Sequence, residues 1–204
     1  MSDSASNDIY SHIFTTKQYV TMKTGIQIPV RLLFAALALL LTLGTFAQNN
    51  TMFVKIKGAK QGDFKGDVFE RGKEGLIKVV SYSHEIVSPR DAASGQATGK
   101  RQHKPMVIIK EVDKATPQLY AALATNEVLT DVTMTFYRPS MKAAGAGGVQ
   151  WYTIKLTNAS IAGMKSRVDD KGQVLEELSL VYQKITWTYT DGGVTHEDTW
   201  SAQN

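Results

Sequence analysis

From Met52 onward, apolar side chains recur at about every second position, in runs broken by Gly, Pro and Asp. That period belongs to strands with one face toward a core. Phe53, Val54 and Ile56 make a first short strand, ended by Gly58. Residues 59–75, with four glycines and scattered charge, read as loop. A strand over 76–87 puts Val80, Tyr82, His84 and Ile86 on one face, and another strand covers 106–112. Over 128–137, Val128, Thr130, Val132, Met134 and Phe136 share one side, opposite Asp131, Thr133 and Thr135. Pro139 and the Ala-Gly run 143–148 form a flexible connection to a strand over 150–163. After a turn at Asp169 to Gly172, the strand 175–189 changes phase, from Leu178, Leu180 and Tyr182 to Ile185, Trp187 and Tyr189. That shift predicts a bulge near Gln183 and Lys184. Asp191-Gly192-Gly193 turns into a last strand near 194–200. One helix interrupts the series, with Thr116 as N-cap, Pro117 in its first turn, and Leu119 and Leu123 on one face. The pattern predicts a mainly β fold: a small antiparallel barrel or sandwich with one helix packed on its outside.

Between two of these strands lies a long polar stretch, Ser88 to Pro105, rich in Gly, Ala and Ser. A loop of that length inside a compact domain is uncommon unless it is functional or disordered. It carries Arg90, Lys100, Arg101, His103 and Lys104 but no poised nucleophile, so it is read as a docking element.

The N-terminus breaks the pattern. Leu32 to Phe46 is almost wholly apolar, about 15 residues preceded by Arg31. That is short for a bilayer span and suits a secretory leader. Residues 22–47 are therefore expected to be a cleavable leader, cut after Ala47, with 1–21 an extension or a misassigned start. The competing reading is an uncleaved membrane anchor. Residues 48–204 form the domain.

Composition narrows the function. The chain has no cysteine, which removes disulfides and thiolate chemistry. A formal charge of +4 is too mild to suggest nucleic acid. Gly95-Gln-Ala-Thr-Gly99-Lys100-Arg101 imitates a phosphate loop but lacks the spacing, the hydroxyl after the lysine and a following helix. His84 and Glu85 are strand neighbours on opposite faces, and no histidine pair has metal-ligand spacing, so no metal or cofactor is expected. Asp169/Asp170 and Glu176/Glu177 read as solvated carboxylates, and Trp151, Trp187 and Trp200 as buried anchors or subunit contacts.

Several runs in fixed order carry a resemblance. They are Ser81-Tyr-Ser-His-Glu85, Ser88-Pro-Arg-Asp91, Ser94-Gly95, Thr98-Gly-Lys-Arg101, His103-Lys-Pro105, Glu111-Val-Asp-Lys-Ala-Thr-Pro117, Trp151-Tyr-Thr-Ile154, Leu156-Thr-Asn-Ala159 and Tyr182-Gln-Lys-Ile-Thr-Trp187. Together, over about Met52 to Trp187, they resemble the Hcp family, the haemolysin-coregulated tube proteins of type VI secretion. The resemblance implies a barrel with a flanking helix, assembled as a ring-shaped homohexamer whose rings stack into a hollow tube. It also implies a contractile sheath, a spike protein and effector cargo as partners, and no enzymatic activity, since catalysis in that family would need an appended domain. The candidate stacking loop comprises Pro89, Arg90, Asp91, Ser94, Gly95, Gly99, Lys100, Arg101, His103 and Lys104. Its cations would meet carboxylates of the neighbouring ring, and Gly95 and Gly99 would let its backbone lie flat. The leader departs from the pattern, because proteins similar to this one are assembled in the cytoplasm without one. The expected product is secreted, either exported through the leader or expelled by the apparatus. An exported binding or carrier domain acting without a sheath is the alternative.

Overall fold

The computed structural model describes residues 50–139 and 148–200, preceded by two short strands, β1 (Tyr19–Thr21) and β2 (Gln27–Pro29). The chain divides into two units, Met1–Ala47 and Gln48–Asn204. In the first, β1 pairs antiparallel with β2. The apolar core of the expected leader, its cleavage point after Ala47 and most of the Ala-Gly run 143–148 lie outside the described residues. Among the described residues, no helix is long and apolar enough to cross a membrane.

The second unit is mainly β with one described helix. Its elements are β3 (Thr51–Gly58), β4 (Gly62–Phe64), β5 (Ile77–Val79), β6 (Ser81–Ser83), β7 (Ile86–Val87), β8 (Gln102–His103), β9 (Met106–Glu111), α1 (Thr116–Ala124), β10 (Leu129–Arg138), β11 (Val149–Val168), β12 (Val174–Tyr189) and β13 (Val194–Thr199). A nine-stranded sheet runs β4-β3-β10-β11-β12-β9-β6, with β5 added to β3 and β13 to β12. Strands β7 and β8 pair separately.

The ladders form an open path, not the expected closed barrel. The strand read as continuous over 76–87 is three strands because it changes partner: β5 lies on β3, β6 on β9 and β7 on β8. Residues 77–83 thus touch both flanks of the sheet. The face carrying Val80, Tyr82 and Ile86 is the exposed one, while Ile77 and Val79 enter the core.

The core is one cluster that includes Val54, Ile56, Ile77, Met106, Ile108, Leu119, Met134, Leu156, Leu178 and Ile185. Helix α1 contributes Leu119 and Ala122, with Leu123 only partly buried. Its N-cap is Ala115 rather than Thr116, whose hydroxyl is used in a buried polar group. At the start of β10, Leu129 is buried and Val128 exposed, because the register against β3 slips between Leu129 and Asp131. That bulge moves the apolar phase by one residue.

The phase change in β12 is present, since Tyr182 and Ile185 are both buried, but no bulge causes it. The register with β11 is the same on either side: Thr157 faces Lys184 and Ala159 faces Tyr182. Both strands kink together instead. Asn158 takes φ 50°, and its side-chain amide donates to Gln183 Oε1 at 2.8 Å. The kink is where β12 changes its outer neighbour, from β9 along Leu175 to Leu180 to β13 along Lys184 to Tyr189.

The connection 65–76 is folded on itself. Gly66 N–H donates to Gly75 O at 2.9 Å and Gly75 N–H to Val68 O at 2.8 Å. A Cβ on Gly66 would sit 2.4 Å from the Leu76 carbonyl oxygen, which is backbone and cannot swing away. Gly66→Ala should therefore lower stability by about 1–3 kcal/mol, read as a fall in the urea midpoint.

A second device holds the same connection. Lys73 is 5 % exposed and lies over the rings of Phe53 at 4.6 Å and Tyr137 at 4.2 Å, with its ammonium 2.8 Å from Glu70.

Candidate functional site: the hairpin 86–103 and its anchor

The polar stretch after Val87 is an ordered β-hairpin, not a structureless loop. Ile86 pairs with His103 and Val87 with Gln102 at its base. Further out, Arg90 bridges Ala97, Thr98 N–H donates to Pro89 O at 3.0 Å, and Asp91 N–H donates to Gln96 O at 2.8 Å. The tip closes on one side chain. Asp91 Oδ1 accepts from the amides of Ala93 (3.1 Å) and Ser94 (2.7 Å) and from the Ser94 hydroxyl (2.8 Å). The Ser94 amide and hydroxyl, then the Ala93 amide, hold the Asp91 carboxyl below its usual range. Gly95 takes φ 70°, a conformation only glycine adopts freely, and its carbonyl accepts from Arg90 at 3.1 Å. Gly99 needs no such freedom, since a Cβ there would lie 3.9 Å from the nearest atom, in Pro89.

The base of the hairpin is fixed by a row of five polar side chains. Arg101 donates from Nε and Nη2 to the Asp198 carboxylate on β13, and from Nη2 to the Thr199 carbonyl at 3.3 Å. The buried His103 places Nε2 at 3.1 Å from Asp198 Oδ2 and Nδ1 at 2.9 Å from the Tyr182 hydroxyl. His84 Nε2 lies 2.6 Å from the same hydroxyl. A carboxylate only accepts, so His103 donates from Nε2 to Asp198. Trp200 caps the row, stacked on the His103 ring at 5.6 Å.

Charge follows the same order. Burial first, then the Asp198 carboxylate, pushes the Tyr182 hydroxyl far above its usual range. Burial, then His103, depresses the His84 imidazole. The Arg101 hydrogen bonds hold Asp198 below the ordinary carboxylate range, against the opposing effect of burial.

The ten expected loop residues thus divide in two. Arg101 and His103 are turned inward to β13 and β12. Arg90, Lys100 and Lys104 stand exposed along the hairpin, with Asp91, Ser94 and Gly95 shaping its tip. Sequence reasoning left out Tyr182, Asp198 and His84 as members of the anchor. The one available signal was the phase change beside Tyr182, which marks the point where β12 changes neighbours.

Among the described residues, no group of three or more His, Cys, Asp or Glu could hold a metal ion. Trp151 packs on Tyr152 at 5.6 Å and Trp187 on His196 at 5.8 Å, both partly buried, whereas Trp200 is 46 % exposed. Glu176, expected to be solvated, is buried against Lys110.

A family model described as type VI secretion system effector, Hcp, matches residues 53–189. The major exported protein of Pseudomonas aeruginosa is 39 % identical over 166 residues, which span 72 % of this chain and 94 % of that protein. Among solved structures, the Hcp1 protein of E. coli EAEC 042 is 33 % identical with a TM-score of 0.67, covering 74 % of this chain and 98 % of its own. The secreted protein Hcp3 of Pseudomonas aeruginosa is 32 % identical with a TM-score of 0.62, covering 76 % and 100 %. Matched by the family model over 53–189 and by a relative 39 % identical across nearly all of that protein's length, the chain belongs to the Hcp family.

Proposed function

We propose that the Gln48–Asn204 unit assembles six-fold into rings and stacks ring on ring through the hairpin 86–103. As an Hcp-family protein the chain is a type VI secretion tube subunit and is secreted. Its work in this reading is mechanical and not enzymatic. A contractile sheath drives the hollow tube outward, with a spike at its tip and effectors carried in or on it.

The observation that carries the stacking role is the hairpin itself. Its base is tied to β12 and β13 by the Arg101, His103 and Tyr182 bonds, while Arg90, Lys100 and Lys104 remain solvent-facing. A projecting element that is rigid before contact loses little further conformational freedom on docking. The flexible alternative would lose more than 1 kcal/mol for each backbone residue ordered.

Arg101→Glu tests this reading. The substitution places two carboxylates together at the hairpin base, where the pair with Asp198 now holds it. Rings should survive and stacking should weaken, seen by electron microscopy as isolated rings and short tubes. If the variant forms long tubes as readily as the parent, the hairpin is not the stacking element.

A further inference from the structure

A cleft of about 270 Å³ lies beside the end of β9, lined by Val68, Phe69, Val80, Glu111 and Val112 over Phe53. Phe69 is 81 % exposed, Val112 50 % and Val80 45 %. Three large apolar side chains in one exposed cleft point to a partner surface. The cleft is preformed, because Lys73 and the Gly66–Gly75 bonds fix the segment that carries Phe69. Lys114 adds a contact from the other wall, 3.0 Å from Asp67 and 5.1 Å from the centre of the Phe69 ring.

The position of the cleft is the second observation. Strands β6 and β9 are paired, with Ser83 facing Val107 and Ser81 facing Ile109. The hairpin leaves this pair at the Ser83 and Met106 end. Val80, Glu111 and Val112 lie at the other end, roughly 15–20 Å away at strand spacing. One short ladder therefore carries a projection at one end and a preformed hollow at the other. Two different patches at opposite ends are what a head-to-tail contact requires, and repeating that contact builds an open stack.

We propose that the cleft around Phe69 and Val112 receives the hairpin tip, Asp91 to Ala97, of a second copy of this chain. This rests on the tube reading and names the receptor for its stacking loop. The tip suits the hollow. Ala92, Ala93, Ser94, Gly95 and Ala97 are all small and exposed, and the Asp91 turn holds them in shape. Charge agrees in sign. The stem presents Arg90, Lys100 and Lys104, and the rim presents Glu111, which is exposed and holds no cation among the described residues.

The chain has no cysteine, so an engineered pair gives an unambiguous readout. In full-length protein carrying both Ala93→Cys and Val112→Cys, mild oxidation should give a ladder of covalently linked chains on a non-reducing gel. Neither single variant should give it. Phe69→Ser, at a position too exposed to support the core, should keep the parent melting temperature and lose tubes while keeping rings. The inference is overturned, with the tube reading intact, if tubes form but the double variant gives no ladder. Dimers of the Ala93→Cys variant alone would overturn it too, by showing tip-to-tip contact. A parent protein that never forms rings or tubes overturns both.

Discussion

Lys110→Met should destabilise the protein by about 3–5 kcal/mol, the usual loss when one member of a buried ion pair is removed. For a unit of this size that is a fall in melting temperature on the order of 10 °C. Lys110 is 1 % exposed, and its three donors are all used, on Glu176 Oε2 at 2.7 Å, Asp113 Oδ1 at 2.9 Å and Thr116 Oγ1 at 3.0 Å. Thr116 donates its own proton to Glu176 at 2.7 Å and accepts the Asp113 amide at 3.1 Å. Each member is satisfied by the others. Removing the ammonium leaves the Glu176 carboxylate, also 1 % exposed, without its counter-charge. The double variant Lys110→Met/Glu176→Leu removes the two fully buried charges and should recover part of the loss, with Asp113 still left without its cation, because an apolar pair of similar volume often replaces a buried ion pair without penalty. Chemical unfolding of the three proteins checks this. A single variant within 1 kcal/mol of the parent, or a double variant weaker than the single, would show that the pair is not what holds α1 against β9 and β12.

The second large effect concerns the hairpin anchor. Asp198→Ala leaves Arg101 and the buried His103 facing no carboxylate, so the hairpin base should open and stacking should be lost while the sheet stays folded. Hydrogen exchange of the Gln102 and Lys104 amides should rise by orders of magnitude, as for a segment that opens locally. Unchanged protection there would contradict the anchor.

Acid should produce a milder form of the same opening, and two groups set its direction. The His84 imidazole is depressed in the folded protein, so the unfolded chain takes up protons first and stability falls as pH drops below about 6.5. The contribution of Asp198 is fully present above its ordinary value, near 3.8, and is lost as pH falls through its lower folded value. Between pH 7 and 5 the loss should therefore belong to His84, and His84→Asn should flatten it. A melting temperature that slopes equally in both proteins over that range would assign the acid sensitivity elsewhere.

Local patterning made most strands legible. The alternation over Val132, Met134 and Phe136, the Asp169 turn and the presence of one helix carrying Leu119 all follow from period and turn chemistry, and each appears in the structure. The sequence was silent wherever a strand changes partner. Residues 76–87 read as one strand because each local step is extended, yet three successive neighbours divide them. The kink at Asn158 and Gln183 left its mark on one strand as a phase change, but its cause lies in the facing strand. The anchor was hidden for the same reason. His84 and Tyr182 lie 98 positions apart in the chain, His103 and Asp198 95, and only sheet topology brings them together. Glu176 looked solvated because it sits beside Glu177 at a strand start; strand alternation turns one of the two inward, and pattern alone does not say that the inward one meets a lysine.

Electron microscopy of the purified protein over a wide concentration range decides whether these chains build a tube. Annular particles with an open centre should stack in a single direction as concentration rises. Particles that remain the size of one chain at every concentration, with no annulus on the grid, would contradict that assembly.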